Sequence, residues 1–159
     1  MKRDFLYLVA IMDWHSRAIL SWRLSDTMEA DFCVSALEDA INRYGVPEIF
    51  NTDQGSQFTS YEFIKTLRDA GIRISMDGRG RWMDNVMIER LWKSLKYECV
   101  YLRELETGSD LRNALAWWFD FYNNRRPHKT FDGRKPMEIY QARPNPEGVP
   151  PLGWPRQAA

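Results

Sequence analysis

The chain has 159 residues, 44% hydrophobic and 28% charged, with 22 basic residues balanced by 22 acidic ones. That length and mixture suit one globular domain with a real core, and zero net charge excludes a polybasic chain that binds nucleic acid over its whole surface. The longest apolar run, Phe5 to Met12, is too short to span a bilayer or to act as a signal peptide, so a cytoplasmic protein with no membrane association is expected.

Phe5 to Met12 is continuous and apolar, which predicts a strand buried on both faces. Asp13-Trp14-His15-Ser16 is turn-like, and the alternation of Ala18, Leu20, Trp22 and Leu24 with Ser21 and Arg23 predicts a second strand paired to the first as a hairpin. Residues 28 to 44 read as a helix with Cys33, Ala36, Leu37, Ala40, Ile41 and Tyr44 on one face. Asp26 or Thr27 can cap its start, and Gly45 and Pro47 end it. Glu48 to Asn51 is a short strand that delivers Asp53 at its C-terminal end.

Thr59-Ser60-Tyr61-Glu62 reads as a capping box, followed by a helix carrying Phe63, Ile64, Leu67 and Ala70 and closed by Gly71. Ile72 to Ser75 is another short strand, and Asp77 to Met83 reads as a mobile loop. Asp84 is expected to cap a helix running to about Val100, and residues 109 to 123 a further helix with Leu111, Ala114, Leu115, Trp118 and Tyr122 inward. Pro136 suits the first position of a short helix. From Arg143 onward five prolines with Gly148 and Gly153 read as a tail. Cys33 and Cys99 lie far apart on apolar helix faces and read as buried small hydrophobes in a reducing compartment; with His15 and His128 the only histidines, a zinc site is excluded.

The helix at 84 to 100 has two distinct faces. At about 100° per residue, Asn85, Glu89, Lys93 and Lys96 fall within an arc of about 80°, apart from Ile88, Leu91, Trp92, Leu95 and Cys99. One face packs; the other presents an amide, a carboxylate and two lysines. For the helix taken alone, a solvated face with a Glu89–Lys93 pair is the better explanation of this column. Asp53 shifts the balance, since a carboxylate at a strand end followed by Gly55 is aimed into a crevice, and the glycine lets the chain's own backbone approach a ligand closely. Two carboxylates on separate elements can share hard divalent cations. The basic cluster of Arg125, Arg126, Lys129, Arg134 and Lys135 suits either a phosphate backbone or a solvated loop.

Asp53 and Glu89 are separated by 35 residues, the first within Asn51-Thr52-Asp53-Gln54-Gly55-Ser56-Gln57-Phe58-Thr59-Ser60 and the second within Asp84-Asn85-Val86-Met87-Ile88-Glu89-Arg90-Leu91-Trp92. With Phe5 to Asp13 plus Ser16-Arg17, Gly45-Val46-Pro47, Leu91 to Glu98, Tyr122-Asn123 with Arg126-Pro127-His128, and Pro136 with Tyr140, these segments resemble, in order, a DDE transposase of the insertion-sequence-three family, the retroviral-integrase-like class. The resemblance covers about residues 5 to 142. It implies an α/β, ribonuclease-H-like mixed sheet flanked by helices, with Asp53 and Glu89 as catalytic carboxylates that hold Mg²⁺ or Mn²⁺ in the intact family's two-metal site, a site impaired in this chain without the family's first Asp. It further implies DNA contacts by Asn85, Gln57, Lys93, Lys96, Arg125 and Arg126, with transposon ends and target DNA as partners of a homo-oligomer.

The family's first carboxylate is an Asp on a strand that precedes the Phe5–Met12 segment, and only Met1-Lys2-Arg3-Asp4 stand there. Asp4 and Asp13 are the nearest substitutes, Asp13 matching a turn position and not a metal ligand. The expected organisation is therefore a partial integrase-like core over 1–142, lacking its first strand, and a Pro-rich tail over 143–159. Two functions fit: the C-terminal part of a transposase that cleaves and joins DNA by metal-dependent phosphoryl transfer, or an inactive remnant that at most binds DNA or assembles.

Overall fold

The computed structural model describes residues 6–13, 15–27, 29–52, 60–76, 82–100, 106–128, 132–142 and 157–158, with backbone alone at 51–52, 75–76, 82–88 and 157–158. The apolar run forms β1 (Tyr7–Met12) and the alternating segment β2 (Ile19–Ser25). They pair antiparallel, Tyr7 opposite Ser25 and Met12 opposite Ile19, with an irregularity between Ile11 and Met12. Both faces of this hairpin are covered, as the unbroken apolar run requires. Val9, Ile11, Ala18 and Leu20 face one core with Cys33, Leu37, Phe63 and Leu67. Met12, Ile19 and Leu24 face a second core with Leu91, Leu95, Leu115 and Trp118. Helices thus sandwich the hairpin, and both cysteines are buried, as expected.

The first core is closed by α1 (Asp31–Tyr44), ended by Gly45 at φ 88°, and by α2 (Tyr61–Asp69). Helix α1 begins at Asp31, three residues later than its pattern suggests, with Ala30 at its N-cap and no side-chain cap. The Ser25 hydroxyl instead accepts from the Thr27 amide at 3.1 Å, a local turn that competes with helix initiation. At α2 the Ser60 hydroxyl accepts from the Phe63 amide, while Thr59 lies outside the described residues. Gly71 leaves α2 at φ 74°, a left-handed value that glycine adopts without strain.

Strand β3 (Ile49–Thr52) pairs parallel with β4 (Arg73–Met76). Helix α3 (Trp82–Leu95) begins before Asp84, so Trp82 and Met83 belong to it and not to a loop; 77–81 lie outside the described residues. Its α geometry ends at Leu95 and a π turn covers Lys96–Val100, where a continuous α-helix was expected. The wider turn carries fewer degrees per residue and keeps Cys99 on the inward stripe of Leu91 and Leu95. Helix α4 (Gly108–Asn124) opens on a capping box of Thr107 and Asp110 and buries Ala114, Leu115, Trp118 and Tyr122. Helix α5 (Pro136–Gln141) starts on its proline.

The strands form two small sheets, β1–β2 and β4–β3–β5, and among the described residues no strand joins them. Patterning places no strand after residue 142, yet β5 (Gln157–Ala158) pairs parallel with β3, Gln157 opposite Ile49. Two residues carry too little side-chain periodicity to reveal a strand that pairing across the fold creates.

Candidate active site and nucleic-acid interface

Helix α3 presents Glu89 and Lys93 to solvent, and the π turn that continues it presents Lys96, while Leu91 and Leu95 are buried at 2% and 4% exposure. The arc drawn from periodicity therefore holds through Lys96, the residue at which the π turn begins. Among the described residues no ion pair joins Glu89 to Lys93, so the carboxylate is not held in a surface pair along its own helix. Asn85 lies in α3 with its side chain outside the description. Asp53 and Gln57 lie outside the described residues; β3 ends at Thr52, the residue before Asp53.

Asp13 is fully buried at the end of β1. Its carboxylate accepts from the Ser16 hydroxyl at 2.6 Å and the Ser16 amide at 3.2 Å, the work of a turn residue and not of a metal ligand. Asp4 lies outside the described residues. Among the described residues no group of three or more His, Cys, Asp or Glu side chains is gathered for a metal.

The two arginines expected at DNA diverge. Arg125, the C-cap of α4, is exposed and lies 3.7 Å from Asp120 on that helix. Arg126 turns inward, where Glu98 accepts from its Nη1 at 2.6 Å and from the Trp118 indole at 3.1 Å. Glu98 thereby fixes the guanidinium beside α3. A cavity of about 160 Å³ opens there, lined among others by Arg17, Arg90, Arg126, Ser94, Tyr122 and His128. Burial, reinforced by Arg126 and then Arg17, holds the His128 imidazole down at about 4. Burial also pushes the Tyr122 phenol up to about 12 against the pull of Arg17 and Arg126, so both rings stay neutral near pH 7.

Arg17 and Arg90 stand in the quoted motifs, yet nothing in the linear pattern places them together. Arg17 ends the β1–β2 turn, its amide bonded to the Asp13 carbonyl at 2.7 Å and its φ at 63°. Arg90 comes from α3, and Arg126 follows α4.

Residues 1–81 match the integrase core domain family, and residues 70–136 match a second family described as integrase core domain. The chain is 30% identical over 141 residues to the transposase for insertion sequence element IS629 of Shigella sonnei, covering 88% of this chain and 48% of that protein. It spans about half the length of the curated relatives it matches. Among solved structures it is similar to the catalytic core domain of BIV integrase, with a TM-score of 0.69 at 21% identity over 84% of each chain. It is also similar to the HTLV-2 integrase catalytic core in complex with magnesium, with a TM-score of 0.60 at 24% identity over 87% of each chain. These likenesses place the chain in the ribonuclease-H-like integrase fold expected from its sequence.

Proposed function

The chain belongs to the integrase core domain family, and from that premise we propose that it serves DNA transposition, as the integrase-like domain of an insertion-sequence transposase that cleaves and joins DNA by metal-dependent phosphoryl transfer. The observation that carries this reading is the solvent face of α3 and the π turn that continues it, where Glu89 stands with Lys93 and Lys96 and no described ion pair ties it to Lys93. A carboxylate presented beside two cations suits a metal ion and a phosphodiester together.

Oxygen donors are what hard divalent ions prefer, and Asp53 and Glu89 would hold Mg²⁺ or Mn²⁺ between them. When bound, such ions supply stabilisation of the attacking and leaving oxygens of an in-line displacement. The chain's own residues bind and orient. Lys93 and Lys96 neutralise backbone phosphates along α3, and Gln57, Asn85, Arg125 and Arg126 add contacts around them. Water or a DNA 3′-hydroxyl attacks, so no covalent protein nucleophile is required. Transposon ends and target DNA are the substrates, a homo-oligomer on DNA the working form, and the bacterial cytoplasm the place. Residues 1–142 form the core and 143–159 the tail.

The test is a nicking and strand-joining assay with the full chain, labelled duplexes from the ends of its own element, and Mg²⁺ or Mn²⁺. Product should require the metal and fall about a hundredfold or more in Asp53→Asn and Glu89→Gln, as expected for loss of several kcal/mol of transition-state stabilisation. Undiminished product in both variants would refute the assignment.

A further inference from the structure

The cavity beside α3 brings together three guanidinium groups from three separate parts of the fold: Arg17 from the β1–β2 turn, Arg90 from α3 and Arg126 from beyond α4. None of the described residues lining it is a carboxylate. Glu98 offsets Arg126 from outside the lining and fixes its direction. Three guanidinium groups around one small space suit an anion placed among them.

Size limits that anion. A volume of about 160 Å³ is roughly five waters' share of liquid. It admits a phosphate group and excludes a base pair. Arg forks match phosphate oxygens in bidentate geometry, and the Ser94 hydroxyl at the cavity wall adds a neutral donor.

The backbone of Arg17 is a second, independent observation. Its φ of 63° lies in the left-handed region, where a side chain costs roughly 1–2 kcal/mol and Gly or Asn is the usual occupant. An Arg held there against local preference is the kind of outlier that gathers at ligand sites. Asp13 and Ser16 lock the turn that imposes it.

We propose that this cavity is a binding site for one phosphate of the DNA backbone, gripped by Arg17 and Arg90, with Arg126 behind them and Ser94 as hydroxyl donor. The inference rests on the reading of the chain as a DNA-binding protein. Arg90 follows Glu89 and Ser94 follows Lys93, so the cavity's column on α3 lies about 100° round the helix from the carboxylate's column. A strand whose phosphate is seated there crosses α3 beside Glu89, and the arginines set the register of the scissile bond.

Two arms test this on the full chain. In the first, inorganic phosphate is titrated while the arginine Nε–H resonances are followed by ¹⁵N NMR. Saturable, concerted shifts of Arg17, Arg90 and Arg126 are expected, with Arg68 on α2 unmoved as an exposed control. In the second, duplex affinity is measured against salt for wild type, Arg90→Gln, Arg17→Gln and Arg17→Lys, with thermal unfolding as the check on folding. Each Gln variant should lose roughly five- to tenfold in affinity at 0.1 M salt and reduce the slope of log K against log salt by about one. Arg17→Lys should restore the slope but not the full affinity, because the fork is lost.

Duplex binding with unchanged slopes in both Gln variants overturns the phosphate cavity and leaves the DNA reading intact. Because Arg90 is exposed, a change there reports the site and not a folding defect. If wild type binds no duplex but phosphate still moves the three arginines together, the cavity stands as a phosphate site and the DNA reading falls. If neither probe acts, both fall.

Discussion

The Asn123 side chain holds both backbone groups of Ile19: its oxygen accepts from the Ile19 amide and its nitrogen donates to the Ile19 carbonyl, each at 2.8 Å, across 104 positions of sequence. The clamp is buried, with Asn123 at 8% exposure. It fastens the end of α4 to the start of β2, just beyond the turn that carries Arg17. The chain after α4 then leads to Arg126. One amide therefore fixes the distance between two walls of the arginine cavity.

Asn123→Ala leaves a buried N–H and C=O without their partner. At roughly 1–3 kcal/mol for each unsatisfied group, the loss should be about 2–6 kcal/mol. The urea midpoint reads it directly. A loss below half a kcal/mol would mean that water satisfies Ile19 and the clamp is dispensable.

The imidazole of His128, held at about 4 by burial, Arg126 and Arg17, makes stability depend on pH. An unfolded histidine titrates near 6.5, so between pH 6.5 and 4 the unfolded chain takes up a proton that the folded chain refuses. This contribution is complete above 6.5 and is lost as pH falls towards 4. Urea unfolding at pH 7 and pH 5 should show wild type weakening on acidification, and His128→Asn should weaken less. The ring resonance of His128 should titrate near pH 4, and an inflection near 6.5 would contradict the buried, arginine-flanked placement.

Glu89 is exposed and makes no described ion pair, so Glu89→Gln should leave thermal stability within about 0.5 kcal/mol of wild type. The same substitution should remove metal-dependent cleavage. Equal loss of stability and activity would turn the assignment from chemistry to structure.

Lys93 on α3 and Lys96 at the start of the π turn are both exposed, where each can neutralise one phosphate. Each Lys→Gln change should reduce the salt slope of duplex binding by about one, uniformly across sequences. A change in sequence preference with an unchanged slope would assign the lysines to base contacts instead.

Most of the scaffold is readable from local pattern because its causes are local. The Phe5–Met12 run specifies a strand covered on both faces, and Val9, Ile11 and Met12 are buried accordingly. Ser60 caps α2, and Pro136 opens α5. The spacing of Leu91, Leu95 and Cys99 identifies the inward stripe of α3, and hence the outward face of Glu89 and Lys93. The first turn of α1 is the exception, because Ser25 and Thr27 engage each other and a one-dimensional period cannot weigh that competition.

What linear pattern could not reach has a common physical cause: each feature is a contact between distant parts of the chain. The pairing of Gln157–Ala158 with β3 depends on where a tail returns, not on its composition. The inward turn of Arg126 and the outward turn of Arg125 depend on where Glu98 and Asp120 stand. Periodicity, caps and the six matching segments settled which helices and strands form, and which family the residues resemble, because hydrogen-bond ladders and apolar stripes repeat within a few residues. Packing alone brought Arg17, Arg90 and Arg126 to one cavity, because burying two cores against one hairpin fixes distances that no local rule contains.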